Sequence, residues 1–330
     1  MSVTDHRPTT APAPPDPSRS TGPAGGHLPA GSPGRRQKLR ASGMLMAPFF
    51  LLMAGVFVAP LAMALYMSFF SQDNTGLGFG APEQTFVGLR SYVAVFSDPT
   101  FMGSLGLILL FCVVYIPVVA VGALLLALLL DSGISRLRSV IQLGLFLPHA
   151  VPGIIAAIIW LYLYTPGISP VTEALSRLDL EINFLGVNMV VPSIINIAVW
   201  SSLGYFSVIF YAALQAVPGE VLEAARMDGA GPVRIATLVK LPMITSSLVM
   251  VLLFAMIWTL QLFTEPMLLS QSTPAINSRF SPSMYIYDAA FTRNNYGLAA
   301  AAAVVLMVAT MALSFGLTKL SNRLQRQEGR

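Results

Sequence analysis

Six apolar stretches, each long enough to cross a membrane as a helix, constrain this 330-residue chain more than any other feature. They cover about residues 44–70, 101–130, 139–164, 189–216, 242–264 and 297–320. A helix needs roughly 20 apolar residues to cross about 30 Å of hydrocarbon. Only 10% of the residues are charged, against roughly 25% in a soluble domain. The chain is therefore predicted to be an all-α membrane protein with six transmembrane helices, residues 44–322 forming the membrane domain.

Prolines lie inside or at the edges of these stretches, and Pro148 and Pro152 both fall in the third one. Proline removes a backbone donor and bends a helix, which a membrane bundle tolerates where neighbouring helices satisfy the freed carbonyls. The third span is therefore expected to be kinked.

The longest polar interruption that is still rich in helix formers runs from Glu223 to Pro242 and reads EAARMDGAGPVRIATLVKLP. A short helix is predicted from Pro218 to Asp228, because Pro suits a first helical turn and alanine favours helix. Gly229 can take a positive φ and ends that helix. A second helix is expected from Val233 to the next apolar span. We call residues 217–241 the EAA loop.

The basic residues predict the orientation of the chain. With both termini in the cytoplasm, 15 of the 19 lysines and arginines fall on the cytoplasmic side, among them Arg136 and Arg138, and four fall outside. This asymmetry follows the positive-inside rule and places the EAA loop in the cytoplasm. Residues 1–43, rich in Pro, Gly and Ser, are predicted to be a disordered cytoplasmic tail, and residues 323–330 a short cytoplasmic C-terminal tail.

Composition argues against several kinds of chemistry. The one cysteine, Cys112, provides neither an intrachain disulfide nor a cysteine-rich metal site. No lysine follows a glycine, so a Walker A loop is absent, and neither HExxH nor GxSxG occurs. The basic residues flank apolar spans, where they set orientation and do not indicate nucleic acid. The sequence therefore predicts no catalytic residue, no metal site and no cofactor bound by this chain.

The spacing of the EAA loop resembles the signature of the inner-membrane permease subunits of binding-protein-dependent ABC importers. The residues that match it are Glu223, Ala224, Ala225, Gly229, Leu241 and Pro242, while Val239 stands where isoleucine is usual. The resemblance covers about residues 44–322 and implies the fold of a type I ABC importer transmembrane domain. It also implies that the loop forms a coupling helix, which docks on a cytoplasmic ATPase. The residues expected to couple to the ATPase are the matching residues together with Asp228.

Further motifs extend the resemblance to carbohydrate permeases of the maltose type. They are Phe86-Val87-Gly88-Leu89 before the second span and Tyr285-Ile286-Tyr287 before the sixth, whereas the Gly-Gly-Pro turn common after the fifth span is missing. The resemblance implies a sugar or sugar-like solute, a second related permease, two copies of an ATPase subunit and an extracytoplasmic binding protein. ATP and Mg²⁺ are then expected on the ATPase, and this chain is expected in a bacterial inner membrane.

Polar and aromatic residues inside the spans are the candidates for a solute pathway, because in hydrocarbon they need a partner or water. In the fourth and fifth spans they are Asn196, Trp200, Tyr211, Trp258, Gln261 and Glu265. Helix packing is an alternative role for this set. If one straight helix joins Pro242 to Glu265, Glu265 lies about 34 Å away and near the outer surface.

Two other classes of protein remain as alternatives. An ion- or proton-coupled secondary transporter would act without an ATPase, but it favours carboxylates near the midplane of the membrane. An intramembrane enzyme needs a nucleophile with a base or a metal cluster, and the sequence contains neither HExxH nor GxSxG.

Overall fold

The computed structural model describes residues 35–73, 83–132 and 138–328. Most of the predicted N-terminal tail, together with Arg136, lies outside these residues. Within them, helix α1 already begins at Arg35, and the last helix continues to Glu328, past the predicted boundary at residue 322.

The chain divides into two compact units, residues 1–58 and 59–330. In the first unit, α1 (Arg35–Met53) leads into a π-helical turn, Ala54–Val58. The second unit contains two strands, β1 (Phe70–Asp73) and β2 (Glu83–Phe86), that pair antiparallel with Phe70 opposite Phe86. Its helices are α2 (Ala59–Met67), α3 (Arg90–Ser97), α4 (Pro99–Asp131), α5 (Arg138–Ala150), α6 (Gly153–Tyr164), α7 (Pro170–Ser176), α8 (Val190–Gln215), α9 (Gly219–Met227), α10 (Pro232–Ile235), α11 (Leu241–Met243), α12 (Thr245–Leu260), α13 (Thr264–Leu269), α14 (Pro282–Tyr287) and α15 (Tyr296–Glu328).

Within the described residues, five helical stretches are long and apolar enough to cross a membrane, or six if one bent pair counts as a single span. They are Met44–Met67, Pro99–Asp131, Val190–Gln215, Thr245–Leu269 and Tyr296–Lys319, and the bent pair is Arg138–Ala150 with Gly153–Tyr164. The six-helix prediction agrees with this result when the bent pair is one span.

The third predicted span is not a kinked helix, because α5 and α6 meet at an angle of 95°. Two prolines explain the break. Pro148 lies inside α5, and Pro152 precedes α6 with an extended ψ of 138°. Proline lacks the backbone donor needed to continue a helix, and it disfavours the helical conformation at Val151. At 13 and 12 residues, each half is too short to cross the hydrocarbon alone.

The core is centred on α4 and α8, which pack along most of their length. The buried residues of α4 recur every three or four positions and so form one stripe. They are Phe101, Ser104, Ile108, Phe111, Tyr115, Val119, Ala123, Ala127 and Leu130, with Ala120 buried next to Val119. Residues on the opposite face, such as Val113 and Leu129, are apolar and exposed, as expected for a helix that faces lipid.

Helices α5 and α8 approach each other closely at Gly204. A Cβ atom at this position would lie 1.6 Å from the backbone oxygen of Leu145 on α5. Only glycine allows this spacing, as in the close helix crossings typical of membrane proteins.

Candidate functional site

The first half of the EAA loop folds as its sequence predicts. Pro218 caps α9 at its N-terminus, and Glu220 lies in the first turn, where the helix dipole favours an acid. At the other end, the amide of Ala230 donates to Ala225 O (3.0 Å) and the amide of Gly229 to Arg226 O (3.0 Å). This pair of bonds is a Schellman motif, and Gly229 takes the positive φ of +77° that the motif requires.

The second half of the loop leads directly into the next span. Helix α10 begins at Pro232, one residue before the predicted start, and a π-helical turn (Ala236–Lys240) connects it to α11. Ile235 is buried and anchors the loop to the bundle.

The residues predicted to couple to an ATPase are mostly accessible on this loop. Glu223, Ala224, Asp228, Gly229 and Pro242 are exposed, and Ala225 and Leu241 are half-buried. Large apolar side chains are exposed beside them, namely Met227, Val233 and Leu238. Exposed apolar groups on a polar loop are typical of a protein interaction surface.

At the base of the loop, one carboxylate joins three elements. Asp131, the last residue of α4, accepts a hydrogen bond from Gln215 Nε2 at the end of α8 (2.6 Å). Its other oxygen pairs with Lys240 Nζ, in the π-helical turn that ends the loop. The side chains of Lys240 and Asp131 are 16% and 8% exposed, so the pair is largely shielded from water.

A cavity of about 360 Å³ lies between α4, α8, α12 and the bend that joins α5 to α6. This volume falls within the usual range of small-molecule sites. Its lining combines aromatic surface with polar groups: Tyr115, His149, Val151, Gly153, Ser201, Ser202, Tyr205, Phe206, Phe254, Trp258 and Glu265. Glu265 is the one carboxylic acid among these described lining residues, which include no lysine or arginine.

Contacts between helices hold the cavity side chains in place. Tyr115 on α4 shares a hydrogen bond with Ser202 on α8 (2.8 Å) and lies against Trp258 on α12, with ring centroids 5.6 Å apart. His149 stacks on Tyr205 at 4.3 Å, and its Nδ1 lies 3.1 Å from Ser201 O. Because a carbonyl only accepts, Nδ1 is the donor in this contact, and Nε2 can accept a hydrogen bond whenever it carries no proton.

The cavity brings together two of the six predicted pathway residues, Trp258 and Glu265. Glu265 is buried, with 8% of its surface exposed. The expectation of one straight helix from Pro242 was wrong, because the chain breaks at Ile244 and again between Leu260 and Thr264.

The other four predicted pathway residues lie elsewhere. Asn196 donates to Tyr164 Oη (2.9 Å), and Trp200 packs edge-on against Trp160. Tyr211 lies under the guanidinium of Arg138 at 4.2 Å, and Gln261 is exposed at the end of α12. For Asn196 and Trp200 these contacts correspond to the packing alternative.

Sequence reasoning missed most of the cavity lining. Tyr115, His149, Ser202 and Tyr205 line the cavity but are not among the residues that the sequence indicated. The spacing of Ser201 and Tyr205, four residues apart on one face of α8, was the available signal. Two larger cavities, of about 470 and 640 Å³, lie around the connection between α6 and α7, but the 360 Å³ cavity is the one in which residues of four predicted spans converge.

A second polar cluster lies at the opposite end of α4. Asp98 caps α4 by accepting from the amide of Thr100 (2.7 Å), and it also accepts from Tyr285 Oη (2.7 Å). Arg293 lies 3.6 Å from Asp98 and forms an ion pair with Asp288 at 2.7 Å. Burial opposes ionisation of Asp98, but the bonds from Tyr285 and Thr100, together with Arg293, hold the pKa of its carboxyl below the ordinary value.

Comparison with known proteins identifies the family. Residues 91–327 match the family described as "Binding-protein-dependent transport system inner membrane component". The sulfoquinovosyl glycerol transport system permease protein SmoG of Agrobacterium fabrum is 31% identical, over 82% of this chain and 87% of that protein. The diacetylchitobiose uptake system permease protein NgcF of Streptomyces coelicolor is 29% identical, over 88% of this chain and 86% of that protein.

The fold also matches a solved structure. A chain of the bacterial alginate ABC transporter, in complex with an alginate pentasaccharide-bound periplasmic protein, superposes with a TM-score of 0.74. It is 22% identical, and the match covers 88% of this chain and 96% of that one. Fold, sequence family and apolar helices agree, and the chain therefore belongs to the family of inner membrane components of binding-protein-dependent ABC transport systems, as a multi-pass permease subunit that is a transport component and not an enzyme.

Proposed function

We propose that this permease forms half of the translocation pathway for a sugar or sugar-like solute and is driven through its EAA loop by a separate ATPase. The observation that carries the proposal is the place of the loop in the chain. It connects α8 to α12, and both of these helices line the central cavity. A force on the loop therefore acts on two walls of the cavity.

The geometry of the loop supports a mechanical role. Its turn is fixed by the Schellman motif at Gly229 and by the buried anchor Ile235, so the loop can transmit a displacement without deforming. The exposed Glu223 and the apolar Met227 and Val233 are available to a partner. Alternating access then follows from a bistable bundle that the partner displaces.

The proposed assembly contains a second related permease, two copies of a cytoplasmic ATPase subunit and an extracytoplasmic solute-binding protein. ATP and Mg²⁺ are bound by the ATPase. The excess of basic residues near one side of the spans supports an orientation with both termini and the EAA loop in the cytoplasm of a bacterial cell.

The chemistry of the cavity supports an uncharged, hydroxyl-rich solute. Trp258 and the stacked His149–Tyr205 pair offer flat surfaces for the C–H faces of a sugar ring. Glu265, Ser201 and the free Nε2 of His149 can accept bonds from hydroxyl groups. Because the described lining residues include no lysine or arginine, an anionic solute would lose its hydration here without meeting a positive charge, which is unfavourable.

The coupling role is tested with Glu223→Lys and Gly229→Val in the complete complex, reconstituted in proteoliposomes. Both variants are expected to insert and assemble but to lose the stimulation of ATP hydrolysis by the loaded binding protein. Glu223→Lys reverses a charge on the docking surface, and Gly229→Val places a β-branched residue at a φ of +77°.

Two matched controls lie away from the loop. Glu173→Lys makes the same charge reversal at a glutamate whose side chain is 65% exposed. Gly167→Val strains a glycine with a φ of +83° and, like Gly229, no neighbour within 4 Å of the added carbon. Retained stimulation in Glu223→Lys and Gly229→Val would refute the coupling role.

The solute class is tested in two steps. A thermal-shift screen of the cognate binding protein compares uncharged sugars, including diacetylchitobiose and cellobiose, with glycerol 3-phosphate and alginate oligosaccharides. We expect stabilisation by uncharged sugars, and stabilisation by anionic compounds alone would contradict the proposal. With the sugar so identified, Trp258→Ala is expected to lower uptake about tenfold, within the range of an aromatic stacking contact, whereas Tyr162→Ala, at an exposed tyrosine outside this cavity, should leave it unchanged.

A further inference from the structure

The junction at Asp131 joins the EAA loop to a third helix in addition to the two that the chain itself connects. Each oxygen of the carboxylate has its own partner: Gln215 from α8 for one and Lys240 from the loop for the other. Because Lys240 and Asp131 are 109 positions apart, the contact is not a consequence of chain connectivity. The end of α4 is thereby held to both ends of the loop.

The position of Asp131 is unfavourable for helix stability alone. It is the last residue of α4, where the helix dipole disfavours a negative charge, and its side chain is only 8% exposed. Removing a carboxylate from water is costly unless a partner compensates. An asparagine could still hydrogen-bond with Gln215, but it could not form the ion pair with Lys240. A local conflict of this kind is expected where function requires the residue.

Helix α4 also reaches the cavity. Tyr115 lies 16 residues before Asp131, or about 24 Å along the helix, and its hydroxyl shares a hydrogen bond with Ser202 inside the cavity. One continuous helix therefore connects the base of the loop to the part of the cavity wall that Tyr115 forms beside Trp258. The described chain thus contains a packed route from the loop to the cavity that does not follow the backbone of α8 or α12.

We propose that Lys240 and Asp131 are positioning residues that make α4 a third arm of the EAA loop, so that displacement of the loop moves the Tyr115 wall of the cavity. The proposal rests on the coupling function proposed above. Loss of the pair would leave the loop attached to α8 and α12 but would uncouple α4 from it. ATP hydrolysis would then no longer respond fully to the loaded binding protein.

The first test is the variant Lys240→Met, which removes the charge and keeps most of the apolar stem. In the complete complex, binding-protein stimulation of ATP hydrolysis is expected to fall about fivefold with unchanged basal hydrolysis, within the range reported for residues of coupling networks. The matched control is Arg177→Met, which breaks an exposed ion pair with Glu173 (side chains 75% and 65% exposed). The exchange Lys240→Asp with Asp131→Lys re-forms the pair with a lysine at the helix C-terminus and should restore most of the stimulation.

A second readout separates coupling from mere stability. Cys112 is the only cysteine of the chain; it lies on α4 one helical turn before Tyr115 and beside Thr259 of α12. Its alkylation by N-ethylmaleimide, followed by mass spectrometry, therefore reports movement of α4 against α12. We expect the rate to differ between the nucleotide-free and the vanadate-trapped complex, and this difference to disappear in Lys240→Met.

The outcomes distinguish this proposal from the one on which it rests. Full stimulation and an unchanged Cys112 response in Lys240→Met, with stimulation abolished in Glu223→Lys, would overturn the α4 arm alone. A second outcome would also overturn the α4 arm. If the Lys240→Met complex no longer assembles and the exchanged pair does not restore stimulation, the pair serves folding. Full stimulation in Glu223→Lys as well would overturn the coupling function itself.

Discussion

Both ends of α4 carry an aspartate that holds other elements, and the two ends differ in what the charge does for the helix. Asp98, at the N-terminus, caps the helix and also accepts from Tyr285. A negative charge is favourable there because the helix dipole is positive at that end. Asp131, at the C-terminus, lies where the dipole opposes it, and it depends on Lys240 and Gln215.

The difference indicates two kinds of ionic contact in one membrane helix. At the Asp98 end every interaction of the carboxylate favours the folded helix, so stability alone explains the residue. At the Asp131 end a contact between separate elements is maintained against the local preference of the helix. We therefore infer that the first end serves the fold and the second serves the transmission of movement.

Replacing each aspartate with alanine tests this inference. We expect these substitutions to have a larger effect than the acidification described below. Asp98→Ala removes the cap, leaves Tyr285 without its acceptor and leaves Arg293 with Asp288 as its partner, at a cost of about 2 kcal/mol. The purified complex should melt several degrees lower, while stimulation of ATP hydrolysis survives. Asp131→Ala should also lower the melting temperature, because it leaves the largely buried Lys240 without its partner, but unlike Asp98→Ala it should lose stimulation.

The comparison would fail if Asp98→Ala lost stimulation at a temperature where its complex is fully folded. It would also fail if Asp131→Ala kept stimulation and only lost stability. Asp98→Asn serves as the control that keeps the N-cap and removes only the charge, so its melting temperature should fall less than that of Asp98→Ala.

A smaller effect is expected from acidification. The pKa of Asp98 is lowered in the folded protein, since the bonds from Tyr285 and Thr100 and the charge of Arg293 outweigh the effect of burial. The stability advantage of the wild type over Asp98→Asn should therefore be constant above the ordinary aspartate value of about 3.9 and shrink as the pH falls through the lower folded pKa. Thermal unfolding of both proteins between pH 3 and pH 7 measures this, and an advantage that grows on acidification would contradict the assignment.

The EAA loop could be predicted from the sequence in detail because its determinants are local. Pro218, Gly229 and Pro232 each act on the backbone within a few residues, and the structure places the turn and both helices within one or two positions of the prediction. The assignment of the EAA-loop residues to ATPase coupling stays a prediction.

The cavity could not be predicted in the same way, because its shape depends on breaks and contacts between distant segments. The 95° bend before Gly153 and the interruption between Leu260 and Thr264 decide where His149 and Glu265 lie. The distance predicted for Glu265 assumes one straight helix from Pro242, and these breaks remove that assumption. Asn196 and Tyr211 show the converse, since their polar and aromatic character inside a span indicated the pathway, but Tyr164 and Arg138 are their partners.

The glycine at position 204 has a consequence for the cavity. Its α-carbon faces the Leu145 carbonyl with no room for a methyl group, and the helices that meet there also carry His149 and Tyr205. An alanine at this position requires α5 and α8 to move apart. If the cavity is the solute site proposed above, this single substitution would change the size of solute that fits while leaving the lining side chains unchanged.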